Sequence, residues 1–331
     1  MENKLQETVK KLFADDAVEK FIGYEKGSLP LRTRMTVIES AEDAGKLVWN
    51  SLCLNSLAVY LPVYYKRNMR LKPDEKQTFP KIGIAVKGCD LRAVQLLARE
   101  NQIVREHVTA IGIPCQGMVD PALVAAKVNG EITAVEESGD SLTVKTASGS
   151  ETVARDEVLA LACKECRSPG AEGADIVLDG AARAAGSGYS KVTAFENRSA
   201  AERWAYFESE LSKCIRCNAC RQACPTCYCK ECFADQTRPR WVGIGNQLSD
   251  VMAFHIGRIM HQAGRCVECD SCVRACPMDI DLRTFTNVMA RDIEAMFDYA
   301  PGTTLEEVSP LLTFAEDDDQ SFISEPKNEM E

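Results

Sequence analysis

One pattern constrains this chain more than any other. Cys214-x-x-Cys217-x-x-Cys220-x-x-x-Cys224-Pro225 recurs as Cys266-x-x-Cys269-x-x-Cys272-x-x-x-Cys276-Pro277. Three thiols spaced by two residues wrap a turn of chain around one face of an iron–sulfur cubane, each taking one iron. The fourth lies too far along to close the same cube and reaches the neighbouring one, and the proline turns the chain away. The spacing predicts two [4Fe–4S] clusters with crossed ligation. Cys214, Cys217, Cys220 and Cys276 hold cluster 1, and Cys266, Cys269, Cys272 and Cys224 hold cluster 2. A lone C-x-x-C could be a zinc site or a redox dithiol; two complete copies leave those readings little room.

The 331 residues carry sixteen cysteines and a formal net charge of −10. An even cysteine count suits disulfides in a short secreted chain. Here the start, MENKLQETVKKLF, reads as a charged amphipathic helix rather than a signal peptide. A reducing cytoplasm, with thiols free for metal, is the expectation. The net charge, with no Lys/Arg-rich patch, argues against a nucleic-acid partner. No run approaches the roughly 18 apolar residues of a membrane span.

The organisation reads as an α/β domain over 1–196, an α-helical dicluster ferredoxin domain over 197–300 and an acidic tail over 301–331. The apolar run Leu57–Tyr65 reads as a strand. Lys81–Val86, Leu91–Gln102 and Val108–Ile113 read as strand, helix and strand, a βαβ unit with a parallel pair. Glu131–Val153 alternates between turn signals as a β-meander, and the Gly/Ala-rich stretch Gly170–Gly188 reads as the end of the domain. Ser199-Ala-Ala-Glu202 is a capping box that opens a helix carrying Trp204, Phe207 and Leu211. Further helical patterns cover Leu248–Gln262 and the stretch from Asp279 to Tyr299. The tail lacks periodicity and reads as extended, disordered or an arm on a partner.

Four more cysteines stand just beyond expected strands: Cys89 after Lys81–Val86, Cys115 after Val108–Ile113, and Cys163 and Cys166 after the apolar run Val158–Ala162, which reads as a third parallel strand. In a parallel sheet the strand C-termini share one edge, where open α/β folds place ligands. Convergence there would make a third [4Fe–4S] site, the first choice; zinc held by all four thiolates and simple packing are the alternatives. A helix N-terminus beside Cys89 favours thiolate and an anionic cluster. Lys87, Arg92 and Lys164 are placed to offset remaining negative charge, or are merely solvated. Cys227, Cys229 and Cys232 read as packed thiols or as ligands of another metal, His255 and His261 as packed or surface residues, and Cys53 as core.

The KGCDLRA segment at 87–93, the ENQ at 100–102 and GIPCQGMVDP at 112–121 resemble the coenzyme F-420 hydrogenase/dehydrogenase beta-subunit family. The run from CPTCYC at 224 to DIDL at 282 resembles the iron–sulfur beta subunits of sulfhydrogenases and of flavin oxidoreductases partnered with heterodisulfide reductase. The wide spacing of the two motifs, with a helix between them, is similar to the α-helical ferredoxins of succinate dehydrogenase and heterodisulfide reductase. The resemblance implies a cytoplasmic subunit of a multi-subunit redox complex. It relays electrons between a flavoprotein or hydrogenase subunit and a partner of hydrogenase, formate dehydrogenase or heterodisulfide-reductase type. Some relatives hold FAD and reduce a deazaflavin or nicotinamide, so a self-contained FAD oxidoreductase is the competing reading. This chain places its ferredoxin domain C-terminally, has a short α/β region and lacks a G-x-G-x-x-G fingerprint.

Overall fold

The computed structural model describes residues 1–66 and 77–313. Strands β1 (Lys20–Lys26), β2 (Thr33–Ile38), β3 (Ile82–Val86) and β4 (Val108–Gly112) enter one sheet. Strands β5 (Ile132–Ser138), β6 (Ser141–Thr146) and β7 (Gly149–Ala154) form a separate antiparallel sheet, the expected meander. A short β8 (Ile176–Val177) completes the first sheet in the order β2-β1-β3-β4-β8. Only the β1–β2 pair there is antiparallel.

The sheet forms where the apolar runs are densest. β3 reads IGIAV and is buried at every position, as a central parallel strand covered on both faces must be. It pairs with β4 from Ile82↔Val108 to Val86↔Gly112. The helix Gly88–Arg99 crosses between them, so the βαβ unit stands as read. Its start lies three residues before Leu91 because the Asp90 carboxylate accepts the Lys87 amide at 3.4 Å and caps the first turn. The core joins Phe21, Ile22, Ile84 and Ile111 from the strands to Leu5 and Val9 of helix Glu2–Ala14 and to Val94 and Leu97 of helix Gly88–Arg99.

Three expectations are corrected. Leu57–Tyr65 is not a strand: Leu57–Tyr60 is a 3-10 turn and Leu61–Tyr64 a helical turn with Pro62 in its first positions, where a missing N–H costs nothing. Val158–Ala162 is not a paired run either. Leu159 makes one antiparallel bridge to Val119, and Leu161–Lys164 is a helical turn that carries Cys163. Gly170–Gly188 does not merely end the domain, since β8 within it pairs with Ile111 and Gly112.

The longer helices of the C-terminal part are Ser190–Glu196, Ala200–Ser212, Leu248–His261 and Leu282–Phe297. At the capping box, Glu202 N–H donates to Ser199 Oγ at 3.3 Å and Ser199 N–H to the Glu202 carboxylate at 2.8 Å. Leu142, Val144 and Leu159 build a separate core under the meander, and Leu211, Val251, Phe254, Ile280 and Leu282 build another in the helical part. Ion pairs tie the two parts together: Arg283–Glu165 at 3.1 Å, Arg167–Glu294 at 2.7 Å and Arg265–Glu100 at 2.6 Å. Arg92 Nε donates to Pro301 O at 2.9 Å, so the start of the tail region packs on helix Gly88–Arg99; residues 314–331 of the tail lie outside the described residues. No helix among the described residues is long and apolar enough to cross a membrane.

Candidate metal centres

The two cysteine motifs fold alike. Arg216 and Asn218 take φ of 56° and 60°, and Glu268 and Asp270 take 59° and 56°. A helical turn follows each, Ala219–Gln222 and Ser271–Arg274. These paired left-handed residues bend the backbone around the middle cysteine, which turns successive thiols to the same side.

Three cavities carry the twelve cysteines expected as cluster ligands. Cys214, Cys217, Cys220 and Cys276 line one of about 330 Å³. Cys224, Cys266, Cys269 and Cys272 line a second of about 380 Å³. Cys89, Cys115, Cys163 and Cys166 line a third of about 490 Å³. The fourth cysteine of each motif thus stands with the first three of the other. Cys269 belongs to the walls of both the second and the third cavity, so these two adjoin. Among the described residues, no three His, Cys, Asp or Glu side chains close on a point that would hold a single metal ion; the thiols stand around cavity walls instead.

Convergence at the third cavity depends on two glycines. A Cβ on Gly88 would lie 2.0 Å from Ser168 O and 2.2 Å from Gly170 O, so only glycine lets the turn after β3 meet the loop of Cys166. Gly117, at φ +94°, turns the chain beside Cys115. Lys87 and Arg274 also line this cavity. Burial opposes the Lys87 charge, but the Asp90 carboxylate at 2.7 Å more than offsets it and holds the ammonium well above its ordinary range. Arg92 instead pairs with Glu268 at 3.4 Å, and Lys164 is exposed, its Nζ donating to Glu157 O at 3.4 Å.

The donor sets fit clusters chemically. Burial pushes the Cys115 and Cys272 thiols up to about 12 and raises Cys89 and Cys266 well above the usual thiol range. Such sulfurs become thiolates only against a strong positive partner, which a metal supplies. Amides two residues on are already aimed at them: Arg216 N–H to Cys214 Sγ and Gly117 N–H to Cys115 Sγ, both at 3.4 Å. The Glu268 and Ser168 amides serve Cys266 and Cys166 in the same way.

His255 is buried, with Nε2 3.4 Å from Cys214 Sγ and no partner on Nδ1. Burial, with Arg258 and Arg216 alongside, brings its ring down to about 4. Against a metal-bound Cys214 thiolate the neutral ring would carry its proton on Nε2 and donate it. His261 is exposed. Cys53 is fully buried in the main core. Cys227 accepts from Gln262 Nε2 at 3.4 Å, while Cys229 is exposed. With Cys232 they line a wider, open cavity that shares Cys224 with the second one. Another open cavity, lined by Arg92, Gln95, Arg167 and Glu172, shares Gly88, Ser168, Pro169 and Arg183 with the third.

Residues 79–204 match the family described as the C-terminal part of the coenzyme F420 hydrogenase/dehydrogenase beta subunit, while residues 210–280 match the 4Fe-4S dicluster domain. The chain is 25% identical over 287 residues to the F420-dependent formate dehydrogenase subunit beta of Methanocaldococcus jannaschii, covering 67% of this chain and 74% of that protein. It is 26% identical over 295 residues to F420-dependent formate dehydrogenase 1 subunit beta of Methanococcus maripaludis, covering 70% and 75%. A chain of the F420-reducing [NiFe] hydrogenase complex of Methanosarcina barkeri shares 18% identity, 49% of this chain and 58% of that one, with a TM-score of 0.36. Residues 79–204 are thus similar to the coenzyme F420 hydrogenase/dehydrogenase beta-subunit family, and residues 210–280 to iron–sulfur proteins of the 4Fe-4S dicluster type.

Proposed function

We propose that this chain is the iron–sulfur, electron-relaying subunit of a cytoplasmic multi-subunit oxidoreductase, and that it holds three [4Fe–4S] clusters. Cluster 1 is held by Cys214, Cys217, Cys220 and Cys276, cluster 2 by Cys266, Cys269, Cys272 and Cys224, and cluster 3 by Cys89, Cys115, Cys163 and Cys166. The observation that carries the reading is the sharing of Cys269 by the second and third cavities, which supports one series running through the α/β part and the dicluster part. When bound, such clusters take up and release single electrons. The chain's own residues hold the thiolates, exclude water and aim amide and imidazole N–H groups at sulfur. Thiols spread around a cavity wall suit a cubane better than one zinc ion, whose four thiolates must all lie about 2.3 Å from a single point.

The partner is a subunit of a hydrogenase, formate dehydrogenase, flavoprotein or heterodisulfide-reductase type. The names of the two formate dehydrogenase relatives support this. The first cavity offers a place of approach: Cys217 is exposed, and Ile215 and Met278 on its wall are exposed apolar residues. A second reading, a self-contained FAD oxidoreductase, is favoured by the arginine-lined cavity that opens beside the third cysteine set. Metal and cofactor analysis of the anaerobically purified chain separates them. About twelve irons without flavin supports the relay, and stoichiometric FAD supports the enzyme. About eight irons with one zinc supports zinc at the third site.

A further inference from the structure

Most buried or half-buried arginines in the second half of this chain answer to a carboxylate: Arg167 to Glu268 and Glu294, Arg265 to Glu100, Arg283 to Glu165 and Asp270. Arg216, Arg258 and Arg274 differ, and of these Arg216 stays at the first cavity alone, over the Phe254 ring and donating to Asp250 O at 2.9 Å. Arg258 is 4% exposed, yet its only hydrogen bond among the described residues is NH2 to Cys220 O at 3.2 Å, and its Nε and NH1 have no partner. Arg274 donates to Cys269 O at 2.7 Å, Leu54 O at 2.9 Å and Ser271 Oγ at 3.4 Å. Neither has a carboxylate within salt-bridge distance among the described residues.

Their places correspond. Arg258 lies on the wall of the second cavity and bonds the carbonyl of Cys220, a cysteine of the first. Arg274 lies on the wall of the third cavity and bonds the carbonyl of Cys269, which lines both second and third. A guanidinium always carries its charge. Taken out of water without a counter-charge it is strongly destabilising, and unpaired N–H groups add to that. An anion facing each arginine removes the difficulty, and thiolate-ligated clusters are anions.

We propose that Arg258 and Arg274 are the fixed cations at the two junctions of the cluster series. Arg258 stabilises the added electron on clusters 1 and 2, and Arg274 does so on clusters 2 and 3. This rests on the cluster assignment under Proposed function and goes beyond it by naming what sets the potentials relative to one another. Reduction adds one negative charge to a cluster. A positive charge at a few ångströms in a water-poor interior favours that charge strongly and raises the midpoint potential. Because each arginine lines one cavity and bonds a cysteine carbonyl of the next, each raises two potentials together. Cluster 2 is the one whose potential Arg258 and Arg274 both raise.

The test is potentiometric EPR titration of the full-length holoprotein, with iron counted in each variant and signals assigned by Cys276→Ser, Cys224→Ser and Cys166→Ser. Arg258→Met is expected to lower the midpoints of clusters 1 and 2 and leave cluster 3 in place. Arg274→Met is expected to lower clusters 2 and 3 and leave cluster 1. Each fall should be at least tenfold in the reduced-to-oxidised ratio, about 59 mV for a one-electron couple. Equal shifts of all three clusters, or none, would overturn the proposal. If either methionine variant loses iron, the lysine variant decides: retained charge should keep both midpoints, and a fall there refutes a role for charge. If Cys276→Ser removes the signal assigned to Cys266, Cys269 and Cys272, the cluster assignment fails. If the assignments hold and no midpoint moves, only the arginine proposal does.

Discussion

Cys276 follows Cys272 by four residues, yet it lines the cavity of Cys214, Cys217 and Cys220. Cys276→Ala should therefore remove about four irons and the EPR signal of the cluster held by the first motif. Loss of the other cluster's signal would show uncrossed ligation. The grouping of these thiols around one cavity was legible because the C-x-x-C-x-x-C-x-x-x-C-P spacing is local chemistry. His255 was not, because what it touches, Cys214 Sγ, lies 41 residues away. Nothing in the pattern of helix Leu248–His261 separates a packed histidine from a sulfur-facing one. Lys87 was legible only as a cation near Cys89. Its burial against Asp90, with Nζ also 3.1 Å from Cys53 O, makes it structural as well. Lys87→Met leaves the Asp90 carboxylate buried and alone, which should cost about 3–5 kcal/mol. Thermal unfolding of the holoprotein checks this. The further change Asp90→Asn should recover part of the loss, and no change in either melting curve would mean the pair contributes nothing.

At the scale of elements, the strands β3 and β4 and the helices were readable because each is an apolar run or stripe with a clear start. The capping box is the sharpest case. Ser199→Ala removes the acceptor of the Glu202 amide and should weaken helix Ala200–Ser212 by about 1 kcal/mol, seen as a lower melting temperature with unchanged iron. Ser199→Asn or Ser199→Asp should restore it; failure of both to do so would place the effect elsewhere. The misreadings share a cause. Leu57–Tyr65 and Val158–Ala162 are short apolar runs, and periodicity alone does not separate a strand from buried helical turns. Pro62 decides the first toward a helical start. In the second, the backbone groups near Val158 find partners at Met118 and Asp120 for only one bridge's length. β8 was invisible because Ile176–Val177 has too few residues for a pattern; the pairing with β4 comes from the sheet edge, not from its own composition.

At the scale of the molecule, the core of the five-stranded sheet and that of the dicluster part are unlike. The sheet core is built from aliphatic and aromatic side chains that need no metal: Phe21, Ile22, Tyr24, Ile84 and Leu97 are fully buried. The core of the dicluster part is smaller, and Cys214, Cys220, Cys272 and Cys276 form much of what packs in it. Those thiols face cavities that the clusters would fill, so iron there does part of what side chains do elsewhere, and its binding is linked to folding. Removing iron anaerobically with a chelator should therefore act unevenly. Amide hydrogen exchange should accelerate over 214–232 and 266–281, the stretches whose backbone bends around the thiols. Exchange in β1, β3 and β4 should stay slow, because opening there requires breaking the sheet core. The stretch 163–170 discriminates further, since it is tied to the sheet by the close packing of Gly88 and to the helical part by Arg167 and Glu165. If iron sits at the third cysteine set, this stretch should loosen along with the two motifs. If those thiols only pack, it should keep the protection of the sheet. Uniform protection throughout, before and after chelation, would show that the dicluster part holds together on side-chain packing alone.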